Sequence, residues 1–286
     1  MPELVWLISG CSSGFGEQFV HSILARGDQV IATGRQLEKL KPLETAGAAI
    51  LQLDITASQQ SISNTISIAK AIYGRIDVLV NNAAYIAVGN WESLEYEDYL
   101  AQFDTNVFGT IKVTRALLPH FRERRSGTIV FIGSLSGWVG HAGCSAYAGS
   151  KFALEGIVES LYQETAHLGI TPLLIEPGRF RTKLLSSGNM KVAASTVPEY
   201  AEAYGAQLDF LASEDQAQPG DPAKLVKIIL DLVRREGVAE GREIPLRLPL
   251  GADVYGDIKA KCEKTLKLLE EWESTIRSTD YEDETE

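Results

Sequence analysis

The sequence predicts an α/β fold, a single doubly wound parallel sheet with helices on both faces, and three observations carry that expectation. A continuous apolar run, Leu4-Val5-Trp6-Leu7-Ile8, enters a glycine-rich turn and then an amphipathic segment reaching about Arg26. That is the pattern of a buried central strand followed by a helix. Further short apolar runs alternate with helical patterns, which implies parallel strands joined by helical crossovers. Finally, Gly10, Arg35, Asp54, Asn82, Ser134 and Pro177 each follow one of these strands. A parallel sheet would gather them at its carboxyl edge, where such folds bind ligands.

In chain order, the first strand leads into Ser9-Gly10-Cys11-Ser12-Ser13-Gly14-Phe15-Gly16. Glycines permit a tight turn and close approach of backbone to phosphate, and the N–H groups and dipole of the following helix attract negative charge. The spacing G-x-x-x-G-x-G differs from the G-x-G-x-x-G dinucleotide fingerprint. Gln29 to Thr33 reads as the second strand, Gln36 to Leu40 as a helix start, and Ala49 to Leu53 as a third strand ending at Asp54. After a longer helix come Val78-Leu79-Val80 and Asn81-Asn82-Ala83-Ala84, then a helical region from about Tyr96 to Arg124 that contains Asn106. Thr128 to Ile132 is the strand before Ser134.

The chain has 286 residues, 45% hydrophobic and 23% charged, the composition of a soluble globular protein near the upper size of one core. One domain over residues 1–279 is expected. No apolar run approaches the ~18 residues of a membrane span, and Met1-Pro2-Glu3 is unlike the basic start of a signal peptide, so a cytoplasmic location is expected. Cys11, Cys144 and Cys262 are too few and too scattered for a disulfide framework or a zinc site, and no metal is expected. The net charge of −11 disfavours nucleic acid and anionic membranes as partners. Five of the last seven residues, Asp280 to Glu286, are acidic and read as a disordered tail.

The candidate chemistry lies between Ser134 and Lys151. Tyr147 and Lys151 are four residues apart where the pattern turns helical, so both project from one helix face. A phenol has an unperturbed pKa of about 10, and an ammonium beside it is expected to favour the phenolate and bring it into working range as acid or base. The Ser134 hydroxyl, just past a strand, is placed to meet Tyr147 across the start of that helix.

Taken together, these residues resemble the short-chain dehydrogenase/reductase family, a Rossmann-type fold, over about residues 3 to 182. The sequence is similar to the branch containing 17β-hydroxysteroid dehydrogenase-like and fungal secondary-metabolism reductases. The resemblance rests on Gly10, Gly14 and Gly16, Asp54, Asn-Asn-Ala-Ala at 81 to 84, Asn106 in Asn-Val-Phe-Gly, Ser134, Tyr147-x-x-x-Lys151, and Pro177-Gly178 followed by Thr182. Ala84 stands where the family has glycine.

The resemblance implies roles. Tyr147 is the general acid of carbonyl reduction, Lys151 tunes it and binds the nicotinamide ribose, Ser134 holds the substrate oxygen, and Asn106 keeps a water linking Lys151 to solvent. Gly10, Ser12, Ser13, Gly14, Phe15 and Gly16 form the phosphate turn. Asp54 caps the adenine, Asn82 the ribose side, and Pro177, Gly178, Phe180 and Thr182 the carboxamide. The same resemblance implies a homodimer or homotetramer through the helix from Ala146 to Leu168, whose Phe152, Leu154, Ile157, Val158 and Leu161 surround most of its circumference.

Beyond Thr182, residues 184–219 carry Met190, Tyr200, Tyr204, Phe210 and Leu211, too apolar for a simple loop, and read as a helical substrate lid. Trp138, His141, Tyr85 and Trp91 are expected to line the substrate pocket. Asp221-Pro222 starts a helix, Glu243 to Leu248 is the last strand, and Val254, Ile258, Cys262, Leu269, Trp272 and Ile276 stripe a C-terminal helix at about 252–277 that should pack on the body or a partner subunit.

For the cofactor, the second strand ends Thr33-Gly34-Arg35. An acid there would take the ribose hydroxyls of NAD, whereas an arginine accommodates the phosphate of NADP. The expectation is an NADP(H)-dependent reductase of a bulky, mostly apolar ketone or aldehyde, reversible to the secondary alcohol. A cofactor-bound isomerase or cyclase and a redox-silent dinucleotide sensor are the alternatives.

Overall fold

The computed structural model describes residues 3–195 and 197–281. Strand β1 (Val5–Ile8) is followed by helix α1 (Gly14–Ala25), β2 (Gln29–Gly34), α2 (Lys41–Thr45), β3 (Ala49–Gln52), α3 (Gln59–Tyr73) and β4 (Val78–Asn81). A short β5 (Ile86–Val88) precedes α4 (Tyr96–Phe103), a π-helical stretch Asp104–Gly109, and α5 (Thr110–Arg124). Then come β6 (Gly127–Ile132), α6 (Ser145–Thr165) and β7 (Ile170–Pro177). The last part holds β8 (Met190–Val192), α7 (Ala201–Glu214), α8 (Pro222–Arg234), β9 (Arg247–Leu250), α9 (Ala252–Glu271) and α10 (Glu273–Arg277).

Seven of these strands form one sheet in the order β3-β2-β1-β4-β6-β7-β9, with every adjacent pair parallel. The chain winds outward from β1 in both directions, as the alternation of strands and helices predicts. Side-chain alternation along β1 divides the core: Trp6 and Ile8 join Phe19, Ile23 and Ile229 on the α1–α8 face. Val5 and Leu7 join Ile62, Leu117, Phe121 and Val158 on the face covered by α3, α5 and α6. Both faces are buried, so the strands read as unbroken apolar runs rather than alternating ones.

Three sequence expectations shift. The last strand lies at Arg247–Leu250, not at Glu243 to Leu248, and its ladder begins where Leu174 N–H donates to Leu246 O. Pro245 has no N–H to give. The C-terminal helix is broken at Trp272 (φ −110°, ψ 9°) into α9 and α10. Of its expected stripe Val254 is buried and Ile258 half-buried, whereas Leu269, Trp272 and Ile276 are 47%, 56% and 45% exposed, so only the start of the stripe packs on the body. The expected tail lies, from residue 282 on, outside the described residues.

The segment after Thr182 is helical, with a strand the sequence pattern does not announce. β8 pairs in parallel with β5, Ile86 opposite Met190 and Val88 opposite Val192. Tyr204 of α7 ties this two-stranded unit down by donating to Val88 O at 3.2 Å or Ala193 O at 2.8 Å. Tyr200 instead donates to Glu92 on the surface. No helix among the described residues is long and apolar enough to cross a membrane.

Candidate active site

A cavity of about 800 Å3 runs along the carboxyl edge of the sheet, within the range of small-molecule and cofactor sites. Its wall includes Gly10, Ser12, Ser13, Gly14, Phe15, Arg35, Asp54, Asn82, Ser134, Tyr147, Lys151, Pro177, Gly178, Phe180 and Thr182. Gly16 and Asn106, the remaining two residues expected at the site, sit behind that wall.

At one end the turn between β1 and α1 is built for close approach. Gly10 has φ 73°, and a Cβ there would lie 2.7 Å from Ala83 Cα. At Gly16 the Gly10 carbonyl occupies the space a Cβ would need. Asn82 holds the turn by donating from Nδ2 to Ser9 O and Gly10 O, each at 3.0 Å. Ser13 is the N-cap of α1 in extended conformation, yet its hydroxyl makes no capping bond. A hydroxyl and the first-turn N–H groups of α1 are therefore left for an anion. A dinucleotide pyrophosphate fits this cradle.

Next along the edge, Gly34 ends β2 and Arg35 follows on the wall. Asp54 accepts from Thr56 N at 2.9 Å and Thr56 Oγ1 at 2.7 Å. Burial alone would raise its carboxyl, but these bonds and the Arg35 and Lys112 cations hold it below the ordinary value. Phe15 and Phe180 close the middle edge-to-face, their centroids 5.6 Å apart.

At the far end Ser134 follows β6, and Tyr147 and Lys151 project from α6. Lys151 is 2% exposed, and its Nζ donates to Ile132 O at 2.7 Å. It lies 5.7 Å from the Tyr147 ring centroid. Burial pushes the Tyr147 phenol up to about 12, with the hydroxyl of Ser134 within hydrogen-bonding reach opposing the rise. Burial likewise pulls Lys151 down to about 8. The expected lowering of the phenol by its lysine is thus not what the structure shows. The Lys151 ammonium is turned to a strand carbonyl, and burial, the largest influence on the phenol, favours its neutral form.

Asn106 lies behind the cavity wall. It sits in the π-helical stretch, 1% exposed, and accepts from Tyr85 N at 3.2 Å. Its Nδ2 lies 3.2 Å from Tyr85 O and 3.1 Å from Ser150 Oγ. It joins the loop after β4 to α6 rather than facing the cavity.

Of the expected pocket aromatics, Tyr85 and His141 reach the wall, whereas Trp91 is 76% exposed and Trp138 lies off it. Leu184, Leu185, Phe210 and Leu211 supply apolar surface from the segment after Thr182, with Asn189, Lys191 and Gln207 among them. These last three carry no motif. Lys191 stands in β8, and its place depends on the β5–β8 pairing, which three-residue strands do not reveal in sequence.

The short chain dehydrogenase family profile matches residues 4–192. Oxidoreductase BOA17 of Botryotinia fuckeliana is 34% identical over 253 residues, 87% of this chain and 89% of that one. Retinol dehydrogenase 8 of Homo sapiens is 41% identical over 204 residues, 68% of this chain and 65% of that one. The crystal structure of a short-chain dehydrogenase from Streptomyces avermitilis superposes with a TM-score of 0.87 at 39% identity, covering 97% of this chain and 98% of that one. With the parallel sheet, the glycine cradle and the Ser134–Tyr147–Lys151 cluster in place, the chain belongs to the short-chain dehydrogenase/reductase family, oxidoreductases that bind nicotinamide dinucleotides.

Proposed function

We propose that the protein reduces a bulky, mostly apolar ketone or aldehyde with NADPH, and oxidises the corresponding secondary alcohol in reverse. The observation that carries this reading is the joining, in one cavity, of the Ser13–Gly14 cradle, the Ser134–Tyr147–Lys151 cluster and the apolar wall of Leu184, Leu185, Phe210 and Leu211. When bound, the reduced nicotinamide would supply the hydride. Ser134 would hold the carbonyl oxygen, Tyr147 would donate its phenolic proton to it, and Lys151 would bind the nicotinamide ribose and keep positive charge beside the phenol. Asn106 would act at one remove, fixing the loop of Tyr85 against α6. Gly10 to Gly16 would cradle the pyrophosphate, Asp54 and Asn82 would border the adenosine half, and Pro177 to Thr182 the carboxamide.

Residues 184–219 would serve as the substrate lid, because α7 and the turn after Thr182 close the apolar end. NADPH rather than NADH is supported by Gly34 and Arg35: no carboxylate stands at the end of β2 to repel a phosphate, and a guanidinium follows. The test is a panel of aryl, steroidal and aliphatic ketones and alcohols assayed with each dinucleotide. Turnover of bulky ketones with NADPH is expected. Dinucleotide binding with no oxidation or reduction of any panel member would contradict the reading.

A further inference from the structure

Beneath the reaction centre, outside the cavity wall, lies a cluster that the proposed chemistry does not use. Glu176 is the residue of β7 before Pro177, and its side chain is 0% exposed; Glu155 is one helical turn beyond Lys151 on α6, its side chain 12% exposed. The two carboxyl groups approach within hydrogen-bonding range. Arg247 of β9 donates from Nε to Glu155 Oε2 at 2.8 Å and from Nη2 to Glu159 Oε2 at 2.5 Å, and its Nε is 3.9 Å from Glu176 Oε1. The Trp138 indole turns its N–H toward Glu176 without full hydrogen-bond geometry, while its carbonyl takes a bond from Lys261. Gly133 and Gly137 leave the room: a Cβ on Gly137 would sit 2.7 Å from Glu155 Oε1, and one on Gly133 would sit 3.5 Å from it.

Glu155 Oε1, both Glu176 oxygens and Trp138 Nε1 are four of the seven buried side-chain polar atoms without a partner among the described residues. Two ionised carboxylates offer only acceptors, so they cannot satisfy each other, and one guanidinium shared with Glu159 does not neutralise both. A single proton between them pairs Glu155 Oε1 with one Glu176 oxygen and removes one of the two charges, leaving the other Glu176 oxygen to the Trp138 N–H.

We propose that Glu155 and Glu176 share one proton, and that this pair is a positioning device for Lys151, clamping the helix that carries it to the strand ending at Pro177. The pair spans the elements that present the site: β6 leading to Ser134, α6 with Tyr147 and Lys151, and β7 leading to Pro177 and Gly178. With one proton the pair carries a single negative charge. When that proton leaves for solvent, the second charge acts on Lys151 one turn away and on its own partner. Burial and the Glu176 charge raise Glu155 to about 8, burial raises Glu176 as well, and Glu155 in turn favours the Lys151 ammonium. The clamp and the lysine therefore titrate as one system. The effect on turnover rests on the reductase reading; the shared proton does not.

The test begins with infrared titration of the wild-type protein, which needs no variant and no substrate. A protonated-carboxyl C=O band is expected at pH 7, disappearing as pH rises through about 8. It should be missing at pH 7 in Glu155→Gln and in Glu176→Gln. In either variant only one carboxyl group is left, so the second negative charge cannot develop at alkaline pH, and the alkaline limb of ketone reduction should move down by about one unit. Absence of the band in folded wild-type protein at pH 7, or its persistence in both variants, overturns the shared proton. An alkaline limb identical in wild type and both folded variants overturns the positioning role. Failure to find any carbonyl substrate would count against the reductase reading and leave the infrared result standing.

Discussion

Lys151 Nζ lies 5.7 Å from the centroid of the Tyr147 ring, and its hydrogen bond goes to Ile132 O at 2.7 Å. The ammonium is thus fixed by the strand that leads to Ser134 and held beside, but not on, the phenol. Burial depresses Lys151 from 10.5 to about 8, so the charged form persists below that pH and is lost above it. Tyr147, pushed up to about 12, stays protonated throughout. Reduction should therefore be flat near neutrality and fall as pH rises past about 8, as kcat/KM across the pH range would report.

The same depression fixes the sign of a stability effect. A lowered folded-state value favours neutral Lys151, so its stabilising contribution is full above its unfolded value and lost as pH falls through about 8. At pH 7 the buried ammonium is a cost to stability. Lys151→Met should abolish turnover and weaken NADPH binding without lowering the thermal midpoint at pH 7. A large drop in that midpoint would assign Lys151 a structural role instead.

Cofactor choice turns on Gly34 and Arg35. A Cβ added at Gly34 meets Leu40 Cδ2 at 3.4 Å, ordinary contact, so Gly34→Asp is accommodated. One charge-assisted contact to phosphate contributes roughly 1.5–3 kcal/mol, so NADPH should be preferred by about ten- to a hundredfold in kcat/KM. Gly34→Asp with Arg35→Ile should reverse the preference, and competing NADPH and NADH assays would show it.

The apolar end predicts a separate signature. Phe210 and Leu211 of α7 stand on the cavity wall. Phe210→Ala with Leu211→Ala should raise the ketone KM and broaden selectivity, leaving the NADPH dissociation constant unchanged. Equal weakening of both ligands would mark residues 184–219 as a structural subdomain.

Assembly is tested at α6. Leu154 and Val158 face the core, while Phe152 is 42% exposed and Ile157 half-buried, so the helix keeps an apolar side open. Leu100 and Phe108, on the helical region before it, are 48% and 49% exposed. Lys261 of α9 covers part of this surface, its Nζ 4.7 Å from the Phe152 centroid. A homodimer or homotetramer is expected in light scattering at micromolar concentration, and Phe152→Glu should shift it toward monomer.

Much of the sheet was legible because each strand buried on both faces announces itself as an apolar run, and the residue after it must lie at the edge. The glycine turn was legible because Gly10 and Gly16 leave no room for a side chain. What escaped depends on pairing between distant segments. Strands β5 and β8, of three residues each, have no period to read. Trp138 lies in the right interval but turns its indole toward Glu176 rather than the cavity. Glu155 looks like an ordinary helix-surface carboxylate until β7 and β9 bring Glu176 and Arg247 against it.

The most direct measurement follows deuterium from NADPH labelled at its transferable position, using a ketone that the wild-type protein turns over and comparing it with Tyr147→Phe. The account predicts deuterium at the carbinol carbon of the wild-type product. It predicts loss of turnover by about 10²–10⁴ in Tyr147→Phe, the value of one positioned proton donor, with NADPH affinity retained. Unlabelled product formed without NADPH consumption, or near-normal reduction by Tyr147→Phe, would contradict it.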